Sequence, residues 1–362
     1  VTAAWRDAIL SHRSLLILSG FYAAAVIAEA IYCGVPLAEV AKSLRYAGMF
    51  LLAIGIFGLG LCAGCYAGIL LLVCRQGSLC ARATEALMWV EERATSYFYS
   101  HRFAYTCMGV LVLAGNCFFI INKSLINIIN PLHRLKWDFV FAKWDKALHV
   151  GYYPHELLLP VVNALAVGRA LDFLYFFWLN AIFLLTLFNL FGDDRPHRRL
   201  RFLWVYLLSW IILGSVMATV FNSVGPLFYH YFYPAAPDIY SEVARNIYAL
   251  QKRGFLFAAM TRVWLIRWQT NDAMIDANAI SAMPSMHVAI AWLAVLYARE
   301  VNRFFMWGAG VFFACIFISS IYLGFHYAID GYVSVFCVSV LWWIVGRGMD
   351  RRFTRQQKLG DV

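Results

Sequence analysis

The sequence predicts an all-α integral membrane protein of about eight transmembrane helices, with an extracytoplasmic cap formed by two long loops. Three observations carry that expectation. Of 362 residues, 62% are hydrophobic and only 14% are charged, where ordinary soluble domains carry about 25% charged residues. Several nearly uncharged runs reach the roughly 20 residues needed to cross a hydrocarbon core about 30 Å thick. No stretch shows the dyad alternation, in segments of about ten residues, that an outer-membrane barrel requires.

In chain order the candidate spans are about Ser14–Val35, Arg45–Cys74, Phe103–Ile121, Ala170–Phe191, Phe202–Asn222, Ser285–Val301, Phe304–Leu323 and Tyr327–Gly346. The first follows Arg6 and Arg13 and is long for a signal-peptide core; Ala28-Glu29-Ala30 resembles a cleavage site, yet the run reads as a membrane helix. Between the third and fourth spans lies the polar, aromatic segment "INPLHRLKWDFVFAKWDKALHVGYYPHELLLP". A loop of about sixty residues opens at Gly225, after the fifth span. Loops that long are usually functional when they are not linkers. This one is rich in Tyr, Trp and Pro rather than Gly and Ser, so an ordered cap is expected. Residues 1–102 then form a two-helix addition and cytoplasmic loop, and 103–346 a catalytic core with outer loops 122–169 and 223–283. Residues 347–362 are a basic cytoplasmic tail.

Charge supports this order. Eight spans put both termini on one side, and the tail holds Arg347, Arg351, Arg352, Arg355 and Lys358. By the positive-inside rule that side is cytoplasmic. It also receives Arg75, Arg82, Arg93 and Arg102, then "RPHRRLR" (Arg195, Arg198, Arg199, Arg201), then Arg299 and Arg303. The opposite side has only Lys42 and Arg45 in its first loop, while long loops translocate largely regardless of charge. The net charge of +10 therefore reads as topology and headgroup contact rather than nucleic-acid binding. The nine cysteines form no disulfide framework; most lie in apolar runs, and Cys62-x-x-Cys65 sits mid-helix without a second ligand pair. The expected location is a bacterial inner membrane or eukaryotic endomembrane, with the chemistry extracytoplasmic or lumenal.

Two phrases at that outer rim carry the chemistry. Pro284-Ser285-Met286-His287 reads as a helix start: proline suits the first positions and Ser285 can cap free N–H groups. Such an N-terminus is a ready anion site. In "GFHYAID", His326 and Asp330 are four apart and share a helix face. A carboxylate on one imidazole nitrogen makes the other a better nucleophile or base. The set suits phosphoryl transfer without metal or cofactor. His326 attacks phosphorus, Asp330 orients it, and His287 protonates the leaving oxygen. A histidine at a helix end is often merely interfacial, and a His–Asp pair can be structural. Ionisable groups in membrane segments are nevertheless functional candidates by default.

Pro284, Ser285 and His287, with Ser319, His326 and Asp330, resemble the second and third signature motifs of the type 2 phosphatidic acid phosphatase superfamily, P-S-G-H and S-R-x5-H-x3-D. The resemblance implies His326 as phosphohistidine nucleophile, Asp330 as its partner and His287 as general acid. It also implies a six-helix core, here spans three to eight. The family glycine is Met286 here and its arginine is Ser320; the first motif, K-x6-R-P, has no clean match. These departures, "YPAAP" and "KWDKALHVGYYP" resemble the inositol phosphorylceramide synthase branch, an inositolphosphotransferase group. Without the arginine, the phosphate charge is expected to fall to Lys252, Arg253, Arg262 or Arg267, each of which also reads as a solvated or headgroup-facing residue. Tyr233 and Tyr240 could donate hydroxyls, and Ser285 and Ser320 complete the expected substrate-binding set. Three activities fit: transfer of a phosphoryl or phospho-alcohol group between a phospholipid and an alcohol, hydrolysis of a lipid phosphate or polyprenyl diphosphate, or transport through a His/Asp proton relay.

Overall fold

The structure is a computed structural model that describes residues 2–45, 48–49, 101–130, 137–162, 165–192, 195–254, 256–269 and 280–360. Among them all regular structure is helical. Six helices are long and apolar enough to cross a membrane: Ala3–Tyr32, Arg102–Ile129, Ala166–Gly192, Pro196–Val220, Arg303–Tyr322 and Ala328–Asp350. Most of the second expected span, with Cys62, Cys65, Arg75, Arg82 and Arg93, lies outside the described residues, as do Asp193, Asp194 and the side chain of Arg267.

Helix α1 covers Thr2–Tyr32. Helices α2 (His101–Asn116) and α3 (Phe119–Ile129) form one span with a short break between them. The sequence reading ended this span at Ile121, because Asn122-Lys123-Ser124 is polar. The helix instead runs on through the apolar turn Leu125–Ile129, with Asn122 buried and Lys123 and Ser124 half-buried. Helices α4 (Trp137–Leu148) and α5 (Pro154–Val162) follow. Helix α6 (Leu165–Leu187) closes with a π-helical turn, Phe188–Gly192. Helix α7 (Pro196–Ser209) continues as a π-helical stretch, Trp210–Met217. There Ser215 Oγ donates back to the Trp210 carbonyl and meets Tyr22 of α1 at 2.7 Å, satisfying groups that the wider turn displaces.

The described part of the long loop is largely helical too, with α8 (Ser241–Lys252) and α9 (Phe257–Gln269). Helices α10 (Met286–Val301), α11 (Arg303–Tyr322) and α12 (Ala328–Gly360) complete the chain. Helix α10 is central and packs against α6, α7, α11 and α12. Its Ala289, Ala291, Ala294 and Ala298 are buried, and small residues let neighbouring backbones approach closely where lipid supplies no hydrophobic drive between helices. With 16 residues it spans about 24 Å, short of a hydrocarbon core of about 30 Å. The buried segment Ala282–Pro284 and the fully buried Ser285 lead into it.

The two ends of the bundle differ. Arg198 Nη1 donates to the Glu300 carbonyl at 2.7 Å, Arg201 pairs with the Glu300 carboxylate, and His197 lies 3.2 Å from Asp350. The basic start of α7 thus meets the end of α10, while the two histidine motifs lie at the opposite end. At that opposite end the chain turns sharply at Gly225, where φ is +80° and an added Cβ would stand 2.6 Å from the Phe325 carbonyl oxygen. Only glycine takes such a conformation without strain. Gly225→Ala should cost about 1–3 kcal/mol and lower the thermal midpoint of the detergent-solubilised protein. An unchanged midpoint would mean the turn relaxes freely.

Candidate active site

His326 lies in the turn between α11 and α12. Its Nδ1 is 2.7 Å from the Ala282 carbonyl and 3.3 Å from Asp330 Oδ2. A carbonyl oxygen only accepts, so Nδ1 carries a proton, and in the neutral ring the lone pair is on Nε2. The carbonyl is itself fixed, since Ala282 N–H donates to the Ser223 carbonyl at 2.9 Å. Asp330 is fully buried and its Oδ2 also accepts the Tyr327 N–H at 3.0 Å.

His287 stands in the first turn of α10, 6.1 Å from the His326 ring between centroids. Tyr175 of α6 stacks on it at 4.2 Å, and Trp178 covers it at 4.4 Å. The Tyr175 hydroxyl lies 3.2 Å from His287 Nδ1. This aromatic clamp fixes the ring without spending its second nitrogen. Ser285 caps α10 by accepting the Val288 N–H at 3.4 Å, and its carbonyl accepts from Ser334 Oγ at 2.9 Å.

Two carboxylates on α4 hold the surroundings in place. Asp138 and Asp145 are two turns apart, so they share a face, and both are buried. Asp145 accepts the N–H groups of Ala328 and Ile329, each at 2.8 Å, which caps the helix that carries Asp330. Asp138 accepts the N–H groups of Val224 and Gly225 at 3.0 and 3.1 Å, and the hydroxyls of Tyr233 and Tyr327 at 2.9 and 2.8 Å. Burial pushes both carboxyls up, Asp145 to about 7, against the pull of these donors.

Between the histidines and the bundle lies a cavity of about 240 Å³, walled mainly by apolar and aromatic residues. His287, His326, Met286, Tyr175 and Trp210 line it, and so does Lys123 of α3. The other expected residues fall elsewhere. Ser285 is buried behind the cavity and spends its hydroxyl on the cap. Ser320 is buried and donates to the Phe317 carbonyl at 2.7 Å. Lys252 and Arg253 are exposed, Arg262 is half-buried, and none of the three lines the cavity. Tyr233 is engaged by Asp138, and Tyr240 packs among Tyr229, Tyr153, His155 and Tyr327. Sequence reasoning missed Lys123, Tyr175 and Asp138. Among the described residues no three His, Cys, Asp or Glu side chains gather as metal ligands.

The sequence profile of the PAP2 superfamily matches residues 140–344, which include His287, His326 and Asp330. The chain belongs to the PAP2 superfamily. Membership makes it an enzyme of the general phosphatase or phosphotransferase type, embedded in a membrane by its apolar helices. No curated protein and no solved structure matches this PAP2 chain. Lys123, Asp138 and all of α1 lie before the matched region.

A folded-state value near 7 for Asp145, against an ordinary 3.8, means the folded chain holds a proton that the unfolded chain releases. The stability this brings is complete below about pH 4 and is lost as pH rises to about 7. Asp145→Asn does not titrate, so wild-type minus variant stability should fall across that window in thermal unfolding. A flat difference would show that the carboxylate is charged in the fold throughout.

Proposed function

We propose that this protein is a phosphotransferase that moves a phosphoryl or phospho-alcohol group from a lipid to an alcohol through a covalent His326 adduct. The observation that carries this reading is the His326 hydrogen bonding, with Nδ1 held by Ala282 and Asp330 and the ring lining the cavity beside His287. His326 Nε2 attacks phosphorus while the bond to the leaving oxygen breaks, and His287 gives that oxygen its proton. Asp330 and the Ala282 carbonyl stabilise the imidazolium character of His326. An acceptor hydroxyl then attacks phosphorus, its proton returns to His287, and the P–N bond breaks. An anionic phosphate beside His287 favours the protonated ring that the first step needs.

The aromatic and apolar lining supports a lipid substrate. Helix α9 adds to this: Thr261 and Leu265 line the cavity, while Met260, Val263 and Trp264 are exposed on its outer side. The outer-facing site, the six-helix core over 103–346 and the N-terminal addition over 1–102 belong to this same reading. The second reading, a lipid phosphatase, uses the same residues with water as the acceptor.

Incubation of the purified protein with phosphorus-labelled phospholipid tests the proposal. Label should be trapped on the wild-type protein and be absent from His326→Ala. His287→Ala should lower turnover by about 10²- to 10⁴-fold, the usual worth of a positioned general acid. Added alcohols should divert label into new phosphate esters, monoesters for phosphoryl transfer and diesters for phospho-alcohol transfer; release of free phosphate alone selects the phosphatase. Turnover that survives His326→Ala would sink both.

A further inference from the structure

Among the described residues that line the cavity, Lys123 is the one lysine or arginine. It faces the cavity from α3 together with Phe119 and Ile126, one turn to either side. No described residue pairs with it or accepts a hydrogen bond from it, and it is close enough for its charge to act on His287. An unpaired ammonium in the wall of a membrane bundle is expensive. Such a group is retained where an anion supplies the missing counter-charge.

The surroundings point the same way. At the position of the family's motif arginine stands Ser320, buried and turned to its own helix. Two of the outer-loop cations are exposed, and neither they nor Arg262 line the cavity. Helix α3 is braced where Lys123 emerges, because Asn122 Nδ2 donates to Glu29 Oε2 of α1 at 2.8 Å. Glu29, an intramembrane carboxylate with no partner visible from sequence, thereby fixes the helix that presents the lysine.

We infer that Lys123 binds the substrate's phosphate, supplying from outside the matched motifs the positive charge that the motif arginine would give. This rests on the phosphoryl-transfer reading of the same site. In it, Lys123 holds the non-bridging oxygens while His326 and His287 act along the line of displacement. The ammonium also offsets the charge that gathers on those oxygens as the P–O bond breaks.

The test uses the full chain in detergent with tungstate, a tetrahedral oxyanion, titrated by calorimetry. Wild type and Lys123→Arg should bind alike, within about threefold. Lys123→Met should bind about tenfold or more weakly, as expected for loss of a charge-assisted hydrogen bond. Its thermal midpoint should equal or exceed that of wild type, because a half-buried charge without a partner has been removed. Equal tungstate affinity in Lys123→Met, or no binding by wild type, overturns the inference. So does a fall in midpoint for both Lys123→Met and Lys123→Arg, which would mark a structural lysine. Covalent labelling of His326 is read separately. Label with Lys123-independent tungstate binding leaves the phosphotransferase standing and removes only Lys123. Lys123-dependent binding without label keeps the anion site and removes the phosphotransferase.

Discussion

Backbone N–H groups at the mouth of a membrane bundle must find acceptors, and α4 supplies them. Asp145 takes the first two N–H groups of the helix bearing Asp330, and Asp138 takes those of Val224 and Gly225 where α7 hands the chain to the cap. A buried donor left without a partner costs about 1–3 kcal/mol, so the two carboxylates together govern where three segments can lie. His326 and Ala282 are positioned downstream of that constraint. Ala282 is tied to Ser223, beside Val224, and its carbonyl then sets the ring of His326.

The two histidines are held by different physics. His326 is fixed by hydrogen bonds to groups that only accept, which settles its tautomer. His287 is fixed by stacking between Tyr175 and Trp178 and by the Tyr175 hydroxyl at Nδ1, which restrains the ring but leaves Nε2 open to exchange a proton. That division suits one ring that makes and breaks a bond to phosphorus and another that gives and takes a proton.

Much of this was legible from the chain. Apolar run length revealed six of the eight expected spans, and the i,i+4 spacing of His326 and Asp330 gave their contact, because both signals are local, although His326 stands in the turn before α12 and not on its face. Lys123 was hidden for the opposite reason: a polar triplet at the end of an apolar run reads as a helix end, and only packing against α1 and α7 keeps it helical. Tyr175 was one aromatic among many in "LDFLYFFWLNAIF", and nothing local distinguishes the one that meets His287. Asp138 did leave a trace, since "KWD" occurs twice at heptad spacing, at Lys136–Asp138 and Lys143–Asp145. That repeat puts both carboxylates on one face. The outer-loop arginines were chosen by sequence proximity to the motifs, which says little about which side chains reach a cavity between distant helices.

Helix α10 begins deep in the protein and is too short for an ordinary span. Under the proposed reading, an anion docked at its first turn would give up its hydration shell for fixed N–H dipoles, in a pocket walled by Trp178, Trp210 and Tyr175. In such a place the local activity of water is low, while a hydroxyl carried in on an amphiphile arrives already aligned and at high effective concentration. The length of one helix can therefore decide which nucleophile is scarce.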